Sequence, residues 1–491
     1  MLIDILFINP GDRKKIFQGL GTELTAIEPP FQIASYAAYL RNEGFTVSII
    51  DANAENISPV ETAQKVKSIN PLIVAVIVYG NQPSASTQNM DISYKIVSEI
   101  KEQSDSSVII SGLHASALPE QTLLESDADF VIEGEEQIPL YSLIESFKKG
   151  DGISDVPGIW YKNHLGKVYH NDKPPLISDL DKYLPIAAWD LLPMDLYRAH
   201  NWHCFNDIES RSPYGAIYTS LGCPYKCNFC CINAQFGVNK IRYRSPELIV
   251  DELELLNKKY NIKNIKIIDE MFVLNKKHYM TIVDLIIKKK LDLNIWAYAR
   301  IDTIKEDVLK KMKNAGFNWL GIGIESGSSE VRDGAVKQLK NNDVKNIVSL
   351  IEKFDIEVGA NYIFGLQDET QESMQSTLDL AKVLNTAWAN FYCAMAYPGS
   401  PLYSQSVNNK VRLPEKWGDY SQHSYGTLPL PSNLVSAKEI LKFRDNAFHE
   451  YFESERYLNM MFSKFGSDAV EHIKEMTKTK LNRKLLEGGV N

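Results

Sequence analysis

No stretch of this chain is apolar for long enough to cross a bilayer. The longest such run, LIVAVIVY at 72–79, has eight residues, against the roughly 18 that a transmembrane helix needs. A basic excess is also missing. The net charge of −9 argues against a general nucleic-acid binder, so neither a nucleic-acid partner nor a membrane span is expected. Cysteine is scarce, with six in 491 residues, which excludes the disulfide framework of a small secreted protein. The opening MLIDILFINP holds an acidic residue and no basic stretch, so it reads as a first strand and not as a signal peptide. A cytoplasmic protein is expected. There is no internal repeat, no low-complexity tract, and no G-x-G-x-x-G after the first strand, where the loop reads NPGDR (9–13). A dinucleotide site of that kind is therefore not expected.

What remains is the composition of an ordinary globular protein, 44% hydrophobic and 23% charged, in a chain too long for one core. Residues 1–150 alternate short apolar runs with amphipathic stretches. Strands are expected at 2–8, 46–50, 72–79, 108–111 and 129–132, and helices around 31–43, 60–69, 91–103 and 137–149. Strands apolar on both faces and separated by helices imply a parallel sheet covered on both sides, a Rossmann-like layer with ligands above the strand ends. Residues 151–212 are rich in Pro, Asp and aromatics and read as a small hairpin (158–170) followed by a linker. A second βα series fills 213–400, with strands at 215–220, 264–268, 294–299, 319–324, 357–364 and 390–396. Ser245 and Pro246 start its first helix, whose apolar face is Ile249, Leu253, Leu256 and Tyr260. Six repeats imply an incomplete barrel or another open α/β layer. Residues 401–491 read as a helical C-terminal region.

Four of the six cysteines fall in LGCPYKCNFCC (221–231), and Cys223, Cys227 and Cys230 are spaced C-x3-C-x2-C. Structural zinc wants four closed ligands, usually as two separated pairs. Here Cys204 and Cys393 are isolated, and no His-x3–5-His follows. Three thiolates on one loop can instead hold three irons of a [4Fe–4S] cube and leave the fourth iron open. Cys231, next to the triplet, reads as a packed thiol.

The triplet, with Phe229 just before its last cysteine and at the end of the first strand of a six-fold βα series, resembles the radical S-adenosylmethionine (SAM) superfamily. The resemblance implies that the open iron chelates SAM, and that an electron, from a donor such as flavodoxin or ferredoxin, cleaves it to methionine and a 5′-deoxyadenosyl radical. It also implies SAM contacts at the strand ends: Glu270 in IIDEMF, Arg300 in WAYARID, Glu325 and Ser326 in GIGIESGS, and Gly365 in NYIFGLQDET. A charged residue that ends a buried strand at a barrel's carboxyl edge is where such contacts lie.

A Rossmann-like domain ahead of such a barrel resembles the cobalamin-binding subfamily. The supporting segments are 28–53, 78–87, 111–120 and 131–140, which place small and polar residues beyond each strand. The D-x-H-x-x-G motif of methionine-synthase-like cobalamin domains is absent. His114 therefore reads as a loop hydrogen-bonding residue, and cobalamin is expected without a protein histidine on cobalt. The implied fold is a Rossmann-like cobalamin-binding domain, a partial (β/α)6 radical SAM barrel and a helical C-terminal region. The implied activity is methylation of an unactivated carbon in a small molecule. An oxidative cyclase or rearrangement enzyme is a second possibility, and a cobalamin carrier or sensor with a structural cluster a third. The aromatics Trp189, Tyr197, Trp202, Trp417 and Tyr420 are candidates to wall the substrate pocket.

Overall fold

The computed structural model describes residues 2–21, 24–80, 83–335 and 341–487. The first sheet orders its strands β2-β1-β3-β4-β5-β6-β7: β1 Ile5–Asn9, β2 Val47–Asp51, β3 Ile73–Val78, β4 Ser107–Gly112, β5 Phe130–Ile132, β6 Ile159–Lys162 and β7 Val168–His170. The first five are parallel. Their two apolar faces have separate destinations. Ile5, Phe7 and Ile73 pack under the helices Phe31–Asn42 and Gln137–Lys149, while Leu6, Ile8 and Val74 pack under Pro59–Ile69 and Met90–Gln103. The strand period of two sends alternate residues to opposite helical layers, so a doubly covered strand has to be apolar throughout.

The expected hairpin is present and extends this sheet. Strand β6 pairs antiparallel with β5, and β7 with β6, so the layer extends past residue 150. A short turn joins β6 to β7, and the hairpin covers the edge that β5 would otherwise expose.

The second sheet runs β15-β14-β13-β12-β11-β8, with β8 Tyr214–Ile217, β11 Asn264–Ile267, β12 Asn294–Ala299, β13 Phe317–Glu325, β14 Glu357–Phe364 and β15 Trp388–Cys393. All five pairings are parallel. A short ribbon, β9 Ser220–Leu221 with β10 Arg242–Tyr243, brackets the cysteine segment. The helix Pro246–Tyr260 starts at Ser245, whose hydroxyl accepts from the Leu248 N–H, and buries Ile249, Leu253 and Leu256.

One linker residue shows that this sheet curves. The Trp202 ring lies 5.0 Å from Trp296, 5.1 Å from Trp319 and 6.3 Å from Trp388, which sit on β12, β13 and β15. Strands three places apart in a flat sheet would be roughly 14 Å away from each other. The open partial barrel is thus wrapped around an indole from the connecting segment. The C-terminal helices Ala437–Phe452 and Glu455–Lys478 pack beside β15. Tyr451 donates to the Thr386 carbonyl at 2.7 Å, and Tyr457 to that of Ala387 at 2.9 Å. Among the described residues no helix is long and apolar enough to cross a membrane.

Candidate active site

The cysteine segment leaves β9 through Gly222, at φ +86°, where a Cβ would stand 2.2 Å from the Lys240 carbonyl oxygen. Only glycine fits both that conformation and that approach. Asn233 then closes the turn. Its amide donates to the Cys223 carbonyl at 3.0 Å and to Asn239 at 2.7 Å, and its Oδ1 accepts from the Cys223 N–H at 3.3 Å. Beneath it, the buried Asp269 accepts from the Thr219 N–H at 2.6 Å and from the Thr219 and Ser220 hydroxyls at 2.5 Å each. The loop is therefore braced from both sides before any ligand binds.

Cys223 is buried, whereas Cys227 and Cys230 are half-buried. Burial pushes the Cys223 thiol up to about 11 and raises that of Cys230 well above the ordinary value. Thiols in such surroundings give up their protons to a bound cation and not to bulk solvent. Among the described residues no three His, Cys, Asp or Glu side chains converge as they would on a single ion. A cube presents its irons at separate corners and asks for sulfurs spread along a loop. Three soft donors on one braced segment fit it.

The Cys230 end of the loop opens into a cavity of about 540 Å³ that both domains build. Phe229, Cys230, Glu270 and Glu325 border it from the barrel. Asn9, Arg13, Asn53, Tyr79 and Asn89 border it from the first domain, and Trp202 from the linker. Glu270 follows β11, and burial pushes its carboxyl up to about 7. Glu325 ends β13 at φ +66°, where the pairing with β14 slips register; a non-glycine residue in that region is strained and is often found at functional sites.

On the first-domain wall, Arg13 Nη1 and Asn89 Oδ1 are buried without a hydrogen-bond partner. A ligand rich in amides, as cobalamin is, offers acceptors and donors for both, so the residues fit it. His114 lies elsewhere. It is buried, its Nδ1 is 3.2 Å from the Thr87 hydroxyl and its ring meets Trp417 edge-on at 4.4 Å. Within the segment 78–87, residues 81 and 82 lie outside the described residues.

Of the five strand-end residues singled out from sequence, three do not border the cavity. Arg300 stacks on the Tyr225 ring of the cysteine loop at 4.4 Å and pairs with Asp302 at 2.9 Å. Ser326 is buried against the Thr377 hydroxyl at 3.1 Å. Gly365, at φ +87°, receives Ile440 where a Cβ would be and donates its N–H to Glu369 at 3.0 Å. Of the five aromatics, Trp202 alone borders the cavity; Tyr197 instead donates to Asp51 at 2.8 Å and ties the linker to the first sheet.

Sequence reasoning passed over Asn361, Asn390, Tyr392, His423 and Arg444, all of which border the cavity. Asn361 and Asn390 sit inside strands and bond to each other at 2.9 Å. Asparagine is depleted in strands, and that was the available signal. Tyr392 shares β15 with Asn390, and His423 and Arg444 carry no signal, because the chain folds back from far downstream to place them.

Over 422 residues the chain is 32% identical to an uncharacterized methyltransferase of Pyrococcus horikoshii, an alignment covering 86% of each chain. Residues 217–381 match the Radical SAM superfamily, and residues 18–144 match the B12 binding domain. The chain is a cobalamin-binding radical SAM enzyme. The enzyme is also 24% identical to the anaerobic magnesium-protoporphyrin IX monomethyl ester cyclase of Rubrivivax gelatinosus, over 94% of this chain and 79% of that one. Its fold matches that of the radical SAM methyltransferase TsrM from Kitasatospora setae, solved with cobalamin and a [4Fe–4S] cluster bound. That match has a TM-score of 0.67 at 19% identity and covers 84% of this chain and 79% of the other. The cofactors of this radical SAM enzyme are SAM, a [4Fe–4S] cluster and cobalamin.

Proposed function

We propose that the enzyme methylates an unactivated carbon of a small-molecule substrate, drawing the methyl group from SAM. The observation that carries this reading is a cavity of about 540 Å³ that the cysteine loop and the first-domain strand ends both border. When bound, the cluster with SAM supplies radical chemistry and cobalamin a methyl carrier. Cys223, Cys227 and Cys230 hold the cluster. Glu270, at the mouth beside Cys230, takes the SAM ammonium, and Glu325 takes ribose hydroxyls. Phe229 packs against Leu366, Ala394 and Ala396 and keeps water from the open corner. Arg300 braces the loop through Tyr225, while Ser326 and Gly365 shape the strand ends behind it. Holding reactants in one enclosed geometry is worth several kcal/mol of barrier. The site is cytoplasmic in this reading, and its electron comes from a small redox protein such as flavodoxin or ferredoxin.

The test is anaerobic incubation with reductant and SAM carrying an isotopically labelled methyl group. Expected are 5′-deoxyadenosine and a product heavier by one labelled methyl. Deoxyadenosine with an unlabelled, cyclised or rearranged product would select the second reading, which the cyclase relative favours through its coverage of nearly the whole chain. No deoxyadenosine at all would leave a carrier or sensor.

A further inference from the structure

The C-terminal wall of the cavity presents a guanidinium that its neighbours only partly use. Arg444, on the helix Ala437–Phe452, borders the cavity with 8% of its side chain exposed. Its Nε donates to the Phe391 carbonyl at 2.7 Å and its Nη1 to Asp445 at 2.9 Å. Arginine carries five N–H donors in a rigid fork suited to planar oxyanions. Two of them are engaged here, and the rest of the fork is left for a ligand in the cavity.

Asp445 does not cancel this charge, because a second arginine claims it. Arg483 donates to its Oδ1 at 2.8 Å and to its Oδ2 at 2.9 Å. Two guanidiniums on one carboxylate leave one positive charge in excess at this wall. The groups beside it are hydrogen-bonding and uncharged. His423 borders the cavity, and burial with both arginines holds its imidazole down at about 3. Tyr392 also borders it, its phenol held up at about 12 by burial. Glu325, the acid sharing this side of the cavity, is assigned to SAM in the proposed function, which leaves Arg444 to the substrate.

We propose that Arg444, flanked by Tyr392 and His423, binds a carboxylate or phosphate group of the substrate and so orients it between the two cofactors. The inference rests on the reading that a small molecule is turned over in this cavity.

The experiment titrates propionate, inorganic phosphate and, as a neutral control, propionamide into the enzyme loaded with cluster, cobalamin and SAM, with binding followed by calorimetry. The wild type is expected to bind one of the anions about tenfold more tightly than the amide. Arg444→Gln should remove that preference, and Arg444→Lys should weaken it. A preference for phosphate points to a phosphorylated substrate, and a preference for propionate to a carboxylated one. An equal affinity for all three probes overturns the proposal. So does an anion preference unchanged in Arg444→Lys, or one lost only in Arg13→Gln of the first domain. Binding is read without turnover, which separates the two readings. An enzyme that binds anions through Arg444 but forms no methylated product overturns the methylation reading alone. One that methylates a compound with no anionic group overturns this inference alone.

Discussion

Glu136 is a carboxylate with no solvent around it. It accepts hydrogen bonds from Tyr36 at 2.8 Å, Tyr79 at 2.7 Å, Ser111 at 2.8 Å and Gln235 at 3.0 Å. Tyr79 borders the cavity, and Gln235 lies five positions past Cys230, so this one side chain joins the first sheet to the cysteine segment. Burial pushes its carboxyl up from 4.5 to about 7, against the pull of those donors. The folded chain therefore holds a proton that the unfolded chain has released between pH 4.5 and 7, and stability falls as pH rises through that window. The loss is on the order of 3 kcal/mol. Denaturant unfolding of the apoprotein across this range should show the decline, and Glu136→Gln, which cannot titrate, should flatten it. An equal slope in both proteins would place the titration elsewhere.

The ribbon and the loop it brackets form an element whose shape depends on two close approaches. At one, Gly222 admits the Lys240 carbonyl; at the other, the Asn233 side chain doubles as a peptide-like partner for Cys223. Gly222→Ala would put a methyl 2.2 Å from that oxygen in a conformation already strained for alanine, a cost of about 1–3 kcal/mol or more. Because the loop lies outside the sheet hydrogen bonds of the barrel, the loss should fall on the metal site. Reconstituted Gly222→Ala protein should retain its circular dichroism and lose most of its iron, measured as iron per chain. Full iron loading would show that the loop tolerates the displacement. The neighbouring anchor at Asp269 was not conspicuous beforehand. IIDEMF drew attention to Glu270 as a strand-end acid, and only the contact with Thr219 and Ser220 separates the two adjacent carboxylates into brace and cavity wall.

At the scale of the molecule, the two sheets are held by connections that no element supplies alone. Trp202 fills the concave side of the second sheet, Tyr197 bonds back to Asp51, and Arg242 pairs with Glu135 at 2.9 Å. Lys266, almost fully buried on β11, meets Glu28 of the first domain at 3.1 Å. Removing the indole would leave a void between three strands, and Trp→Ala in a core costs about 3–5 kcal/mol. Trp202→Ala should unfold at correspondingly lower denaturant and bind cobalamin more weakly, since the same ring borders the shared cavity. Wild-type stability in that variant would mean that the barrel collapses onto the space without loss.

Strand and helix positions were legible because burial on two faces imposes a periodic apolar code, and β12 Asn294–Ala299 and the helix Gln137–Lys149 lie at their expected bounds. The cysteine triplet was legible because its three thiols fall on one short loop. The sequence by itself thus determined the kinds of layer, the order in which they come and the metal chemistry, each of which is local in the chain. Tertiary structure alone decided which strand-end residues meet. It turned Ser326 onto Thr377 and Gly365 onto Ile440 of the C-terminal helix, moved Arg300 onto Tyr225, and brought Arg444 and His423 to a cavity opened more than 190 positions earlier by Cys230. Curvature of the open sheet and the return of the C-terminal helices set those encounters, and both follow from packing between segments far apart in the chain.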